Sequence, residues 1–352
     1  MLYNNSNTSA CIEIARSVHS REQNFETRRH CKSVLPCAPL LAVMTLLTKK
    51  VRSGGVALGG SLRTMRRNSG IVFDMLAMCP DFSSDPVLDA LGWKCVPHMH
   101  IQGITKRWRW DMTMKIVPFS QTNYSRIVLI DADLIVVDWW LFSSLFYIDI
   151  PEGNIASTRD CSVAYMQGRP GKEDEIQAGL IVLRPSTAAY TRLLAAHKNK
   201  TIVSADGGGQ GFSSVFWKDK ITWIPSCFNV VQSSHCMGLT ERGIVPYTRE
   251  ELKAASVRDT HSANDHANAL LKAGALAAIH FHFSPKPWAL KMDCRSLKAE
   301  LGNKTLWCGQ KWIAGETALP TLVAAWENAF RRGLAEANLT TTREPPHRHM
   351  QT

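Results

Sequence analysis

Tyr124-Ser125-Arg126-Ile127-Val128-Leu129-Ile130-Asp131-Ala132-Asp133-Leu134-Ile135-Val136-Val137 is an apolar run that ends in two carboxylates, with a second apolar run directly behind them. Ile127 to Ile130 has the length and branching of a strand buried on both faces. Asp131 and Asp133 then fall at its C-terminal end, where open α/β sheets bind their ligands. In extended backbone, residues i and i+2 point the same way. Two carboxylates on one face repel unless a cation lies between them. Ala132 keeps the backbone slim beside a bulky ligand. The stretch therefore reads as an Asp-x-Asp site for a divalent metal that carries a nucleotide diphosphate.

The flanking sequence alternates strand and helix signals. Leu40 to Leu47 reads as a buried strand. Val34 to Leu47 is the one candidate membrane anchor, but it is short for a span of about 20 apolar residues, and Pro36 and Pro39 interrupt it. Gly54 to Arg63 reads as a helix whose glycines allow close packing on the sheet. Ile71 to Met78 and Trp93 to His100 read as strands, with a helix over Pro80 to Leu91 between them. Lys115 falls on a helix just upstream of the central strand. Later strands are expected at Ile155 to Thr158, Gly179 to Leu183, Ile221 to Ile224 and Ala275 to Phe283. Helices are expected at Trp139 to Leu145, Thr187 to Lys198, Ser213 to Trp217 and Leu319 to Leu334. The alternation predicts an α/β fold, a mostly parallel sheet covered by helices on both faces. One domain over 36–338 is expected, with an insertion at about 238–274, a mobile N-terminal tail over 1–35 and a C-terminal tail over 339–352.

The chain has 352 residues, is 45% hydrophobic and 20% charged, and carries a formal charge of +11. That balance suits a globular protein with a full core and anionic partners. No finger, homeodomain or RNA-binding signature accompanies the basic residues, so nucleic acid is not an expected partner. The 10 cysteines include no Cys-x-x-Cys pair, which argues against a zinc site. Reduced core cysteines are expected, Cys227 among them, with Cys294 and Cys308 as a candidate disulfide in a secretory lumen. The sequons favour the same lumen. The lack of a convincing anchor favours the cytoplasm, and the sequence leaves cytoplasm and Golgi lumen both open.

His280 and His282 fall on one face of a strand. Two aspartates and one histidine make a ligand set for Mn²⁺, or Mg²⁺, with imidazole favouring Mn²⁺. Lys286 is suited to place positive charge on a departing diphosphate. Asp206-Gly207-Gly208-Gly209-Gln210-Gly211 has two readings: a loop admitting a sugar to Asp206 and Gln210, or a plain turn with Asp206 as a helix N-cap. Spacing alone favours the second.

These blocks, in this order, resemble the family 8 glycosyltransferases, the glycogenin and galactinol synthase group. The resemblance rests on Thr45-Leu46-Leu47-Thr48 with Gly55 to Arg63, and on Lys115 with Tyr124 to Asp133. It continues through Ala178-Gly179 to Pro185-Ser186, the Gly-rich turn, Phe228-Asn229, and His280-Phe281 to Lys286-Pro287-Trp288. It implies a GT-A fold with a mixed, mostly parallel sheet, a UDP-sugar donor, Mn²⁺ and transfer with retention to a hydroxyl acceptor on a glycan, protein, inositol or lipid; a homodimer is compatible with it. It implies metal ligation by Asp131, Asp133 and His280, with His282 as second choice. Donor contacts are implied for Thr45, Leu46, Thr48, Lys115, Ala132, Gln177, Gln210 and Lys286. Catalytic roles fall to Asp206, Gln177 and Lys286. Two positions depart from the family: Gln177 stands where Asn is usual, and Gly209 where an Asp is credited with catalysis or sugar contact. The competing expectation is a catalytically silent nucleotide-sugar-binding scaffold.

Overall fold

The computed structural model describes residues 11–14, 16–17, 40–97, 114–160, 175–199, 201–202, 208–231, 270, 273–281, 286–289 and 320–343. The main sheet is built from β1 (Leu41–Leu46), β2 (Asp74–Met78), β3 (Trp93–Val96), β4 (Arg126–Ile130), β6 (Ile155–Arg159), β7 (Ile176–Leu183) and β8 (Ile221–Trp223). Its order is β3-β2-β1-β4-β7-β6-β8. β1 lies parallel to both β2 and β4, with Val43 opposite Met75 and Val128. β7 runs antiparallel to β4 and β6. The sheet is thus mostly parallel, as the strand and helix alternation predicts, and mixed through the antiparallel β7. Its first half, β1, β2 and β3, grows one way from β1, and β4 starts the other half on the opposite side. Ligand crevices form at such a reversal, at the C-terminal ends of β1 and β4.

β1, β4 and β7 are apolar along almost their whole length because helices cover both faces of the sheet. One apolar layer gathers Val43, Val128 and Val182 with α1 (Arg52–Ser69), α3 (Trp139–Ser143) and α6 (Pro320–Arg343). The other gathers Met44, Leu129 and Ile181 with α4 (Thr187–Lys198) and α5 (Gly209–Phe216).

The glycines of α1 reach further than the sheet. A Cβ on Gly55 would meet Leu47, as the sequence suggests. A Cβ on Gly60 would lie 2.5 Å from the Ala329 carbonyl of α6, and one on Gly333 would lie 2.5 Å from the Val56 carbonyl. The two helices therefore touch backbone to backbone. A Cβ on Gly54 would lie 2.4 Å from the Ala132 carbonyl, so α1 starts against the turn between the two aspartates.

Several boundaries differ from the sequence reading. The helix expected over Pro80 to Leu91 begins only at Pro86, as α2 (Pro86–Leu91). Asp85 causes this. Its Oδ1 accepts from Val87 N at 3.0 Å and Leu88 N at 3.2 Å, and the carboxylate also pairs with Arg52. Burial pushes the Asp85 carboxyl up, but Arg52 and these amides more than reverse that and hold it below its usual value. Asp85→Ala is expected to cost about 1–2 kcal/mol in chemical denaturation. A depressed carboxyl stabilises the fold above its unfolded pKa and loses that contribution as pH falls through its folded pKa. The gap between wild type and Asp85→Asn should therefore be full at neutral pH and close in acid.

Cysteine use also differs. Cys227 is not reduced but joined to Cys11, and Cys79 is joined to Cys95. Cys11 lies in a helical stretch at residues 11–14 and is buried, so this part of the expected 1–35 tail is held against the core. α6 continues to Arg343, past the boundary expected at 338. The insertion expected at 238–274 lies outside the described residues except at 270 and 273–274, as do Cys294 and Cys308.

A second, smaller sheet completes the site. β10 (Ala278–His280) lies between β5 (Leu134–Val136) and β9 (Val230–Val231). It is antiparallel to β5, with His280 opposite Leu134. It is parallel to β9, with His280 opposite Val231. The run that follows the Asp pair is therefore the strand that brings in the histidine.

Candidate metal and nucleotide-sugar site

β4 ends at Ile130, and the Asp pair sits in a turn rather than in extended backbone. Asp131 N donates to the Gly179 carbonyl at 2.9 Å, and Leu134 N donates to the Asp131 carbonyl at 3.2 Å. The carboxylates converge because this turn folds them together, not because of strand alternation. Phe281 N donates to the Asp133 carbonyl at 2.9 Å, which fixes the register of β10 and places His280 beside the turn. Asp131, Asp133 and His280 present ligand atoms all within 4.8 Å of one another. His280 is fully buried. Its Nε2 lies 3.2 Å from Asp133 Oδ1 and 3.8 Å from Asp131 Oδ2.

Two lysines frame this triad. Lys115 is expected on a helix, and 114–116 are helical. It is 2% exposed, donates to the Ala178 carbonyl at 2.5 Å and lies 3.4 Å from Asp131 Oδ1. A buried ammonium needs such an anionic neighbour. Lys286 donates to Asp133 Oδ2 and to the Phe281 carbonyl. Burial pushes the Asp133 carboxyl up, but His280 and Lys286 outweigh that and hold it well below the usual carboxylate range. Asp133 is thus held as an anion.

The group a divalent ion needs is present. Nδ1 of His280 is engaged by Asn229 Oδ1 at 3.0 Å, which leaves Nε2 facing the two carboxylates. Facing acceptors at this distance require a proton or a cation between them. Two carboxylate oxygens and one imidazole nitrogen suit Mn²⁺, and less closely Mg²⁺.

The sugar half of the expected site is partly gathered. Gln177 is buried; its Oε1 accepts from Gly179 N at 2.7 Å, and its Nε2 has no hydrogen-bond partner among the described residues. Gln210 lies in the first turn of α5. It accepts from Ala178 N at 3.2 Å and donates to Asp160 Oδ2. α5 starts at Gly209 with Gly208 as N-cap, so Asp206 is not the cap; Asp206 itself lies outside the described residues. His282 lies outside them as well. Thr45 and Leu46 end β1, and Thr48 follows, all at the crevice side of the sheet. Thr45 Oγ1 is buried without a hydrogen-bond partner among the described residues. The Ala132 carbonyl rests on α1 at Gly54.

Sequence reasoning missed Asp160. It is 2% exposed and follows β6 directly. A polar chain links it to the metal triad through Gln210, Ala178 and Lys115. Its signal was a carboxylate at the end of a predicted strand, as for Asp131, without a second one to draw attention.

No family model matches the chain. Inositol phosphorylceramide glucuronosyltransferase 1 of Arabidopsis thaliana is 28% identical over 160 residues, which cover 44% of this chain and 26% of that protein. Glycogenin of Komagataella phaffii is 29% identical over 106 residues, covering 30% of this chain and 23% of its own. The matches thus span about a quarter of each of these relatives. The fold is similar to that of the WbbM bifunctional glycosyltransferase, with a TM-score of 0.50 at 12% identity over 77% of this chain and 51% of the other. It is equally similar to the glycosyltransferase GlyE of Streptococcus pneumoniae, with a TM-score of 0.50 at 15% identity over 88% and 65%. The chain thus has a GT-A fold, and over part of its length it is similar to a glucuronosyltransferase and to glycogenin.

Proposed function

We propose that this chain is a retaining glycosyltransferase that moves a sugar from a UDP-sugar to a hydroxyl acceptor with Mn²⁺ held by Asp131, Asp133 and His280. The observation that carries the reading is the convergence of these three side chains at the sheet reversal, with Lys286 on Asp133. The diphosphate and the two carboxylates would be offset by the divalent ion with Lys286 and Lys115. When bound, the ion supplies positive charge to the diphosphate as the sugar C1–O bond breaks. Lys286 adds a second positive charge on the same side, where negative charge grows in the transition state. Lys115 offsets Asp131 from beneath. Gln177 beside Gly179, and Gln210 on Ala178 N with Asp160 behind it, would offer the sugar buried hydrogen-bonding groups.

A carboxylate at position 209 is missing, since Gly209 opens α5 there. Asp160, held by Gln210, is the buried carboxylate closest along the network to that turn. Asp206 remains a second candidate for the role. Glucose, galactose, glucuronic acid and xylose are the donor sugars to compare; the similarity to a glucuronosyltransferase favours starting with glucuronic acid. The two disulfides favour an oxidising compartment such as the Golgi lumen.

The test is UDP release from these four donors, with Mn²⁺ and with chelator. Release from at least one donor, lost on chelation and restored by Mn²⁺, is expected. Gly209 motivates a second reading, a silent nucleotide-sugar-binding scaffold. UDP and Mn²⁺ binding by calorimetry without release from any donor would favour that reading instead.

A further inference from the structure

We infer that Asn229 is a positioning residue that sets the tautomer of His280 and aims its Nε2 at the two aspartates. The inference rests on the metal reading above and deepens it. Asn229 is 2% exposed and sits directly before β9, beside β10. Its Nδ2 donates to Thr158 Oγ1 at 3.3 Å and to the Gln177 carbonyl at 3.5 Å. A backbone carbonyl only accepts, so the amide nitrogen must face Gln177, and Oδ1 must face His280. Oδ1 is likewise only an acceptor. The His280 Nδ1 that lies 3.0 Å away must therefore carry hydrogen. A ring with hydrogen on Nδ1 presents Nε2 to Asp133 and Asp131.

The surroundings leave the ring little choice. His280 is fully buried. Gly179 lies against its Cε1–Nδ1 edge so closely that no Cβ fits between them. The pairing of His280 with Val231 and of Ile279 with Val230 fixes the distance between Asn229 and the ring. Without an acceptor at position 229, Nδ1 loses its partner and the hydrogen can move to Nε2. That tautomer cannot ligate through Nε2. The amide thus acts on the metal only through the ring that it holds.

The experiment compares wild type with Asn229→Leu, Asn229→Ala and Asn229→Asp. Mn²⁺ affinity is measured by electron paramagnetic resonance, and folding by thermal unfolding. Loss of an outer partner of a metal-bound histidine costs about 10- to 100-fold in affinity. Asn229→Leu and Asn229→Ala should show that loss. Asn229→Asp keeps an acceptor for Nδ1–H, although its second oxygen loses the donor role toward Thr158 and Gln177, and should retain more Mn²⁺ affinity than Asn229→Leu, a rescue that a filler of space alone would not give. Long-range ¹H–¹⁵N spectra of the metal-free wild type, with the resonance assigned by its absence in His280→Gln, should show Nδ1 protonated. An unprotonated Nδ1 overturns the inference without reference to any metal. Wild-type affinity in Asn229→Leu overturns it as well. A wild type that takes up no Mn²⁺ overturns the metal reading together with this inference. That result differs plainly from a binding wild type with equally binding variants, in which Asn229 alone fails.

Discussion

Asp133→Asn is expected to weaken Mn²⁺ binding by about 10²–10³-fold, roughly 3–4 kcal/mol, and to bring UDP release to background. The size follows from where the carboxylate sits. Its side chain is 14% exposed, and its two oxygens face His280 and Lys286. It is the most buried carboxylate of the triad, so water replaces little of what the anion supplies. An amide keeps the shape but removes the charge that balances a divalent ion. Asp131→Asn should behave differently. Asp131 is 32% exposed and therefore better solvated, which makes its loss milder for the metal. It also leaves the 2% exposed Lys115 ammonium without an anionic partner, facing neutral oxygens such as the Ala178 carbonyl. Asp131→Asn should thus lose both metal affinity and stability, while Asp133→Asn loses mainly affinity, because Lys286 is 25% exposed and can turn to water. Mn²⁺ titration and thermal unfolding of the two variants separate these outcomes. Equal metal binding by Asp133→Asn and wild type would remove Asp133 from the ligand set.

The sequence shows the metal half of this arrangement because its pieces are local or carry strong periodic signals. The run Ile127 to Ile130 with the Asp pair behind it marks a buried strand and its C-terminal end. Leu41 to Leu46 and Ile176 to Leu183 are legible for the same reason, since sheets covered on both faces demand unbroken apolar runs. What was not legible depends on packing between distant segments. The Asp pair converges through a turn fixed by the Gly179 carbonyl, some way along the chain. The backbone contact of α1 and α6 is written in single glycines, Gly60 and Gly333, whose meaning appears only when the helices cross. Cys227 looked like an ordinary core thiol because its partner Cys11 lies far off in a polar segment. Asp160 is one carboxylate among many until Gln210 is seen to hold it.

Gly179→Ala tests the same site from the sheet side, and a single methyl is expected to weaken Mn²⁺ binding by about 10- to 100-fold. A glycine-to-alanine change in a strand would normally be neutral or stabilise by about 0.4–1 kcal/mol through the unfolded chain. Here the added carbon would lie 2.2 Å from His280 Cε1, 2.6 Å from its Nδ1 and 2.9 Å from Gln177 Oε1. None of these atoms belongs to a flexible end with room to retreat. His280 is fully buried, bonded through Asn229 and tied by strands on both sides. Gln177 is bonded to the amide of Gly179 itself. The ring must therefore shift, with a packing cost of about 1–3 kcal/mol that reverses the usual sign of the substitution. The shift also carries Nε2 out of its place opposite Asp133. A double-mutant cycle identifies the ring as the cause. In a His280→Ala background the two nearest contacts are gone and Gln177 Oε1 at 2.9 Å remains, so Gly179→Ala should cost much less stability there. A full cost in both backgrounds would show that the methyl strains β7 itself, and that His280 is not held against Gly179.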